Sequence, residues 1–289
     1  MFEREIERYN TLLREYKTTV IDKFNVEDLK EYNEILFSAH SCAIEGNTFS
    51  VDDTRALKEK GLGMIPQGKT LFEAFEILDH FNAYDFLMGQ TELPLTEQLV
   101  KETHRILTQH TLTYRYKDAV PGEYTNTDMG AGDTIFGDHE ELIARVPKLM
   151  EATQKAIEQL PVHPIEIAAQ FHKHFIFLHP FRDGNGRLGR LLSNFILVKL
   201  GYPMLLIEST DREKYIGALK ACRDERNTAP MVEFFFSIAI GRMEKELARK
   251  KSMNEDYNFD FKENEQYEKT DYSQHYGNIA SPGFLRQGK

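Results

Sequence analysis

His179-Pro180-Phe181-Arg182-Asp183-Gly184-Asn185-Gly186-Arg187-Leu188-Gly189-Arg190 lies between two stretches of helical periodicity, residues 164–178 and 186–200. Pro180 disfavours helical geometry at the residue before it, so the first helix stops at His179 and delivers that side chain to a loop mouth. Gly184-Asn185-Gly186 is free enough to turn several backbone N–H groups inward, and a helix N-terminus follows at once. That combination is a ready site for an anion, because orphan donors and the helix dipole point the same way. Arg187 and Arg190 are three residues apart and share one helix face. Cations so near a helix start are poorly placed against the dipole unless they meet an anion. Asp183, an oxygen ligand beside the nest, suits Mg²⁺ bridging phosphates. A base, a carboxylate, an anion nest and two arginines fit a nucleotide polyphosphate better than a carboxylate substrate.

Outward from this segment the pattern is helical almost everywhere. Phe2, Ile6, Tyr9, Leu13, Tyr16 and Val20 recur in steps of four and three, as an amphipathic helix requires. A second helix is expected over about 26–46, ending where Gly46 and Asn47 tolerate the left-handed conformation. Residues 51–69 are mixed and contain glycines. Thr70-Leu71-Phe72-Glu73 reads as a capping box opening a helix to about Met88, and Pro94 and Thr96 introduce another. Further helices are expected over 140–160, 211–226 and about 230–250. Between Pro121 and Asp138 glycines interrupt short apolar pieces, which predicts a hairpin. Residues 251–289 are polar and read as a flexible or peripheral tail. The expected fold is all-α with one β-hairpin, divided as an N-terminal helical region 1–95, a core 96–250 and the tail 251–289.

The chain has 289 residues and a formal charge of −10, from 36 basic and 46 acidic residues. An acidic balance argues against nucleic acid or an anionic membrane surface as the main partner. Cys42 and Cys222 form no close pair, which excludes a disulfide scaffold and a thiolate zinc site. Met1 to Asn10 has no apolar core of the signal-peptide kind, and the most apolar run, Phe234 to Ile240, is far short of the roughly 20 residues that span a bilayer. A cytoplasmic protein is expected. Gly63-Met64-Ile65-Pro66-Gln67-Gly68-Lys69-Thr70 matches the P-loop pattern, yet a charged helical run, Thr54 to Lys60, stands where a P-loop needs a buried strand. The match is set aside. His172, His174 and His179 do not make a zinc site either: on a helix the first two point about 200° apart, and His172 lies roughly 10 Å from His179.

Taken whole, residues 179–190 resemble the signature of the Fic family, His-Pro-Phe-x-(Asp/Glu)-Gly-Asn-Gly-Arg-x-x-Arg, with every position present. The resemblance spreads over about residues 30–245. It implies protein AMP-transfer: a target Ser, Thr or Tyr hydroxyl attacks the α-phosphorus of ATP, and Mg²⁺-pyrophosphate leaves. His179 would be the general base, Asp183 would hold Mg²⁺, and Gly184, Asn185 and Gly186 would cradle phosphates. Arg187 would pair with phosphate and Arg190 would reach the γ-phosphate. Tyr215 stands where family members place an aromatic near adenine, and Arg223 where some have Asn. The hairpin resembles the family's flap, which docks a target segment by strand addition; Met129, Gly130, Ala131 and Gly132 lie at its centre. Thr125 stands where the family often has Arg. Ser41-Cys42-Ala43-Ile44-Glu45-Gly46 matches the family's inhibitory pattern (Ser/Thr)-x-x-x-Glu-(Gly/Asn), so Ser41, Glu45 and Gly46 would belong to an inhibitory helix in which Glu45 pairs with Arg190. Transfer of another group, removal of AMP by the same site and a non-catalytic nucleotide-binding module are the rival readings. A homo-oligomer is left open.

Overall fold

Several helices start where the sequence supplies a side-chain acceptor for the first free N–H groups. The computed structural model describes residues 1–131 and 134–267. Helix α1 covers Glu3–Thr19. Asn25 accepts from Glu27 N and opens α2, Val26–Ile44. Ser50 and Asp53 form a capping box at the start of α3, Val51–Lys60. Thr70 and Glu73 form another at the start of α4, Leu71–Met88. Thr96 caps α5, Glu97–Thr108, and the single turn α6, Leu112–Arg115, follows. Strands β1, Gly130–Ala131, and β2, Thr134–Ile135, pair antiparallel with Gly130 opposite Ile135 and Ala131 opposite Thr134. Then come α7, Leu142–Gln159, α8, Pro164–Leu178, α9, Asn185–Lys199, α10, Arg212–Asp224, and α11, Ala229–Tyr267. The fold is all-α with one short hairpin.

Two expectations need correction. The mixed segment 51–69 contains a full helix, α3, whose Thr54 and Leu57 are wholly buried. Its glycines all lie after Lys60, so they end the helix rather than prevent it. The last helix, expected to stop near Lys250, continues to Tyr267. No Gly or Pro interrupts the chain between Gly241 and Gly277, and Lys-, Glu- and Met-rich sequence carries little helix penalty. The rest of the expected tail, residues 268–289, and Gly132 of the expected flap lie outside the described residues. The chain divides into two compact units, Met1–Glu244 and Lys245–Lys289. Among the described residues no helix is long and apolar enough to cross a membrane.

In the first unit α8 and α9 form a helical hairpin whose shared face, with Phe171, Phe175, Leu188, Leu191, Leu192 and Phe195, is almost fully enclosed. A second apolar cluster joins α2, α3 and α4 through Ile35, Cys42, Leu57, Ile77 and Phe81. Cys42 and Cys222 are both free.

The segment resembling a P-loop has a structural task. A helix and a tight turn precede it, and Lys69 Nζ donates to Thr48 O. Glu73 completes the clamp, accepting from Thr48 N at 2.9 Å and Thr48 Oγ1 at 2.7 Å, and from Thr70 N at 2.9 Å and Thr70 Oγ1 at 2.8 Å. The exit of α2 is thereby tied to the start of α4. Partial burial pushes the Glu73 carboxyl up, but the bonds from Thr48 and Thr70 outweigh it and hold the group down to about 2, from an ordinary 4.5. A depressed carboxyl pKa stabilises the fold above the unfolded value, and that contribution is lost as pH falls through the folded value. Glu73→Gln is therefore expected to cost about 1 kcal/mol at pH 7, once solvent screening is allowed for. In urea unfolding the gap from wild type should narrow steadily below pH 4.5. A constant gap between pH 7 and pH 3 would contradict this account.

Candidate active site

The loop between α8 and α9 is held from inside and outside. Asn185, buried at the start of α9, accepts from Phe181 N at 3.0 Å and donates to Phe181 O at 2.6 Å. Its side chain is thus committed to the loop, and only its backbone is left to face a ligand. Phe181 is fully buried and stacks on His104 at 3.8 Å. Gly184 caps α9 with φ +78°, a conformation that L side chains rarely adopt. Asp183 Oδ1 accepts from Gly184 N at 2.7 Å. The result is a turn fixed by its own hydrogen bonds, with the N-terminus of α9 directly behind it.

The two arginines turn to different partners, each from another helix. Arg187 is 2 % exposed; its Nη1 lies 3.5 Å from Glu76 of α4 and its Nη2 3.9 Å from Asp183. Arg187 Nε and Nη1 and Arg190 Nη1 are buried without a hydrogen-bond acceptor. Arg190 donates from Nε to Ser41 Oγ at 3.1 Å, and from Nη2 to Ser41 O and to Glu45 Oε1, both at 2.8 Å. Glu45 is the C-cap of α2, the end where its own helix dipole disfavours a negative charge. Its carboxylate is set instead against the positive N-terminus of α9. This approach requires glycine at 186, because a Cβ there would collide with Glu45 Oε1. Gly46, at φ +105°, turns the chain away immediately afterwards.

His179 ends α8 in the left-handed conformation, φ 49°. Its ring stacks on Phe136, just past β2, at 3.7 Å. Phe136 N donates to Met129 O at 3.0 Å and Gly137 N to Phe177 O at 3.2 Å, so the hairpin is pinned beside the histidine. Thr125 N donates to Pro180 O at 2.9 Å. Arg182 Nη1 adds bonds to Thr127 Oγ1 and Met129 Sδ. Burial lowers His179 to about 4; the Ile176 backbone, Glu45 and Asp183 pull weakly the other way.

Glu45, Phe136, His179, Gly186, Arg212 and Tyr215 line one cavity of about 340 Å³, within the range of a small-molecule site. Tyr215 presents its ring there while its hydroxyl meets His172 Nε2 at 2.9 Å. Ser193 Oγ gives its proton to Gly189 O and therefore accepts from His172 Nδ1, so Tyr215 is the donor to Nε2. His172 is thus spent on a structural chain, apart from His179. Lining the same cavity, Arg223 Nη1 donates to Thr134 Oγ1 of β2 at 2.7 Å.

The model of the Fic/DOC family matches residues 94–197. The chain belongs to the Fic/DOC family. It is 33 % identical over 203 residues to a protein adenylyltransferase Fic of Culex quinquefasciatus, an alignment covering 68 % of this chain and 38 % of that protein. The like-named protein of Drosophila melanogaster is 31 % identical over 199 residues, with the same two shares. The chain thus matches less than half the length of these relatives. A Fic domain containing signaling protein of Bacteroides thetaiotaomicron superposes with a TM-score of 0.73 at 25 % identity, over 85 % of this chain and 97 % of its own. Fic-1 of C. elegans gives 0.70 at 23 % identity, over 86 % and 73 %, and shows the shared fold.

The matched Fic segment holds the hairpin and residues 179–190, but Ser41, Glu45, Glu76, Arg212 and Tyr215 lie outside it. Several site residues left no signal in the sequence. Arg115 Nη1 donates to Asp183 Oδ2 at 3.2 Å, and its Nη2 lies 3.5 Å from Glu76. Arg212 Nε donates to Ile44 O at 2.8 Å and so caps α2. Both are single arginines on ordinary polar stretches, distinguishable only by what they reach. Among the described residues the one group of three side chains close enough to share a metal ion is Asp128, Asp138 and His139, beside the hairpin and not at Asp183. A nuclear magnetic resonance titration is expected to find His179 neutral at pH 6, protonating only near pH 4. A midpoint at or above 6.5 would contradict the buried setting of its ring.

Proposed function

We propose that this protein is an adenylyltransferase that moves AMP from ATP to a Ser, Thr or Tyr hydroxyl of a target protein and is held back by Glu45. The observation that carries this reading is the setting of one cavity. A neutral histidine and the N-terminus of α9, with Glu45 set against it, border it, and two incompletely bonded arginines lie behind that helix start. The names of the relatives support the same chemistry.

In the proposed reaction the target hydroxyl oxygen forms a bond to the α-phosphorus, the bond from that phosphorus to pyrophosphate breaks, and His179 takes the hydroxyl proton. Burial suits His179 to this role because the imidazole stays unprotonated and able to accept. The backbone of Gly184 to Gly186 and the dipole of α9 stabilise phosphate charge, and Arg187 and Arg190 supply fixed positive charge. Asp183, an incompletely buried carboxylate within reach of two arginines, offers one oxygen to Mg²⁺. That donor fits an ion that keeps waters and takes its other ligands from phosphate. When bound, Mg²⁺ would neutralise the departing pyrophosphate. The hairpin of β1 and β2, with Met129, Gly130 and Ala131 on its first side, would dock the target segment by strand addition. Tyr215 would face the nucleotide with its ring.

Glu45 would inhibit by occupying, with Arg190, the place of the γ-phosphate. Its pair with Arg190 is a charge-assisted bond, about 1.5–3 kcal/mol before solvent weakens the half-exposed carboxylate. A competitor built into the chain also acts at high effective concentration. Glu45→Gly is therefore expected to raise labelled AMP incorporation, self-labelling included, at least about tenfold at fixed ATP and Mg²⁺. Adding Arg190→Ala should remove most of the gain. No acceleration in a folded Glu45→Gly chain would sink the inhibitory role, and loss of an AMP-removing activity instead would make Glu45 part of the reverse reaction. His179→Ala should retain ATP binding but lose transfer by at least about 10²-fold. Near-wild-type labelling by that variant would remove His179 from the chemistry.

A further inference from the structure

His104, on α5, is buried to zero exposure and lies outside the signature and the cavity lining. Three independent contacts meet on its ring. Gly122 N lies 2.9 Å from Nδ1. The carbonyl oxygen of Asp183 lies 3.0 Å from Nε2. Phe181 stacks on its face with the planes only 9° apart. The first two contacts leave one arrangement of protons. A backbone N–H can only donate, so Nδ1 is bare; a carbonyl can only accept, so Nε2 carries the hydrogen. The ring is neutral and in one tautomer.

What it joins is specific. Asp183 is the proposed metal carboxylate, and its carbonyl belongs to the peptide that leads into Gly184 and the N-terminus of α9. Gly122 belongs to the strap, residues 119–127, that leads into the hairpin. Both partners are fitted to α5. Gly122 adopts φ +88°, and a Cβ there would meet Lys101 O at 3.0 Å and Arg105 Cβ at 3.1 Å. A Cβ on Gly184 would meet Thr108 Cγ2 at 3.0 Å and His104 Nε2 at 3.6 Å. Thr108 turns its hydroxyl to His104 O at 2.8 Å, leaving its methyl toward the loop. Burial keeps the ring bare of a second proton, with its pKa lowered to about 4.

We propose that His104 is a positioning residue: one imidazole in one tautomer sets the Asp183 peptide and the strap of the hairpin relative to each other. Its substrate-side consequence rests on the function proposed above. Without the Nε2–H donor the Asp183–Gly184 peptide loses the bond that fixes its carbonyl and keeps only the one from its N–H to Asp183 Oδ1, so the carboxylate and nest are less firmly placed. Without the Nδ1 acceptor the strap loses its backbone tie to α5 and keeps only the side-chain bonds of Glu123 to Lys101 and Tyr124 to Glu97, while Asp183 keeps its own.

Two substitutions separate these halves in the full chain. In His104→Asn the amide oxygen takes the place of Nδ1 and can accept from Gly122, but nothing reaches Asp183. In His104→Gln the amide nitrogen takes the place of Nε2 and can donate to Asp183, but nothing accepts from Gly122. Binding of a non-hydrolysable α,β-methylene ATP is measured calorimetrically over a range of Mg²⁺, and AMP labelling is measured beside it. His104→Asn is expected to need about tenfold or more Mg²⁺ for half-maximal binding, the usual scale for losing a group that orients a metal ligand. His104→Gln should keep the wild-type Mg²⁺ requirement while labelling more slowly. An unchanged Mg²⁺ requirement in His104→Asn would overturn the proposal. ¹⁵N resonances of wild-type His104 give a test that needs no variant to fold: Nε2 protonated and Nδ1 bare from pH 6 to 8 is expected, and the opposite tautomer would overturn it. Mg²⁺ binding that depends on His104 in a chain that transfers no AMP would defeat the transferase reading and leave this one standing. AMP transfer with Mg²⁺ binding indifferent to His104 would do the reverse.

Discussion

Two guanidinium groups that cannot lose their protons are buried on one face of α9, and the first unit is arranged around satisfying them. Arg187 and Arg190 are each 2 % exposed. An enclosed charge without a partner costs several kcal/mol, so partners have to be brought to it. They come from sequence-distant helices: Glu76 from α4, and Ser41 with Glu45 from α2. The family segment, residues 94–197, supplies the arginines but not these acids. Packing α2 and α4 onto α9 thus supplies most of an electrostatic set that α9 alone would leave open.

The set is incomplete by a small margin, and the proposed nucleotide would supply what is missing. Donors on both arginines remain without acceptors, although native interiors pair nearly all such groups. Glu45 supplies negative charge at the N-terminus of α9, a position that physics favours for any anion. The same geometry accounts for a stable resting structure and for the proposed competition with phosphate. The carboxylate that neutralises the site is part of the chain, whereas a nucleotide would have to arrive in its place.

The buried histidines show how one residue type is given different work. His80, His104 and His172 are all fully buried and held neutral by burial. His172 is consumed between Ser193 and Tyr215, and His104 between Gly122 and Asp183. His179 is kept neutral by the same cause, yet it borders the cavity. The chemical distinction among them lies in access, since their titration is pushed the same way.

Elements that depend on neighbours a few residues away were legible in the sequence. Thr70 with Glu73 and Pro164 marked helix starts, the glycines between Pro121 and Asp138 marked the hairpin, and the order His179 to Arg190 marked the loop and its anion-binding helix. Local reading failed where a stronger local signal masked a weaker one: the glycines after Lys60 hid α3, and polar composition hid the continuation of α11. The family resemblance had already implied the pair of Glu45 with Arg190, but it took the packed structure to show that Glu76 meets Arg187, that Asn185 bonds within the loop, that Arg115 reaches Asp183 and that Arg212 lines the cavity. Glu45 and Arg190 are 145 residues apart, and no periodicity spans that distance. Their meeting is set by the apolar faces of α2, α4, α8 and α9, whose packing by area and shape fixes which charges are left to face each other.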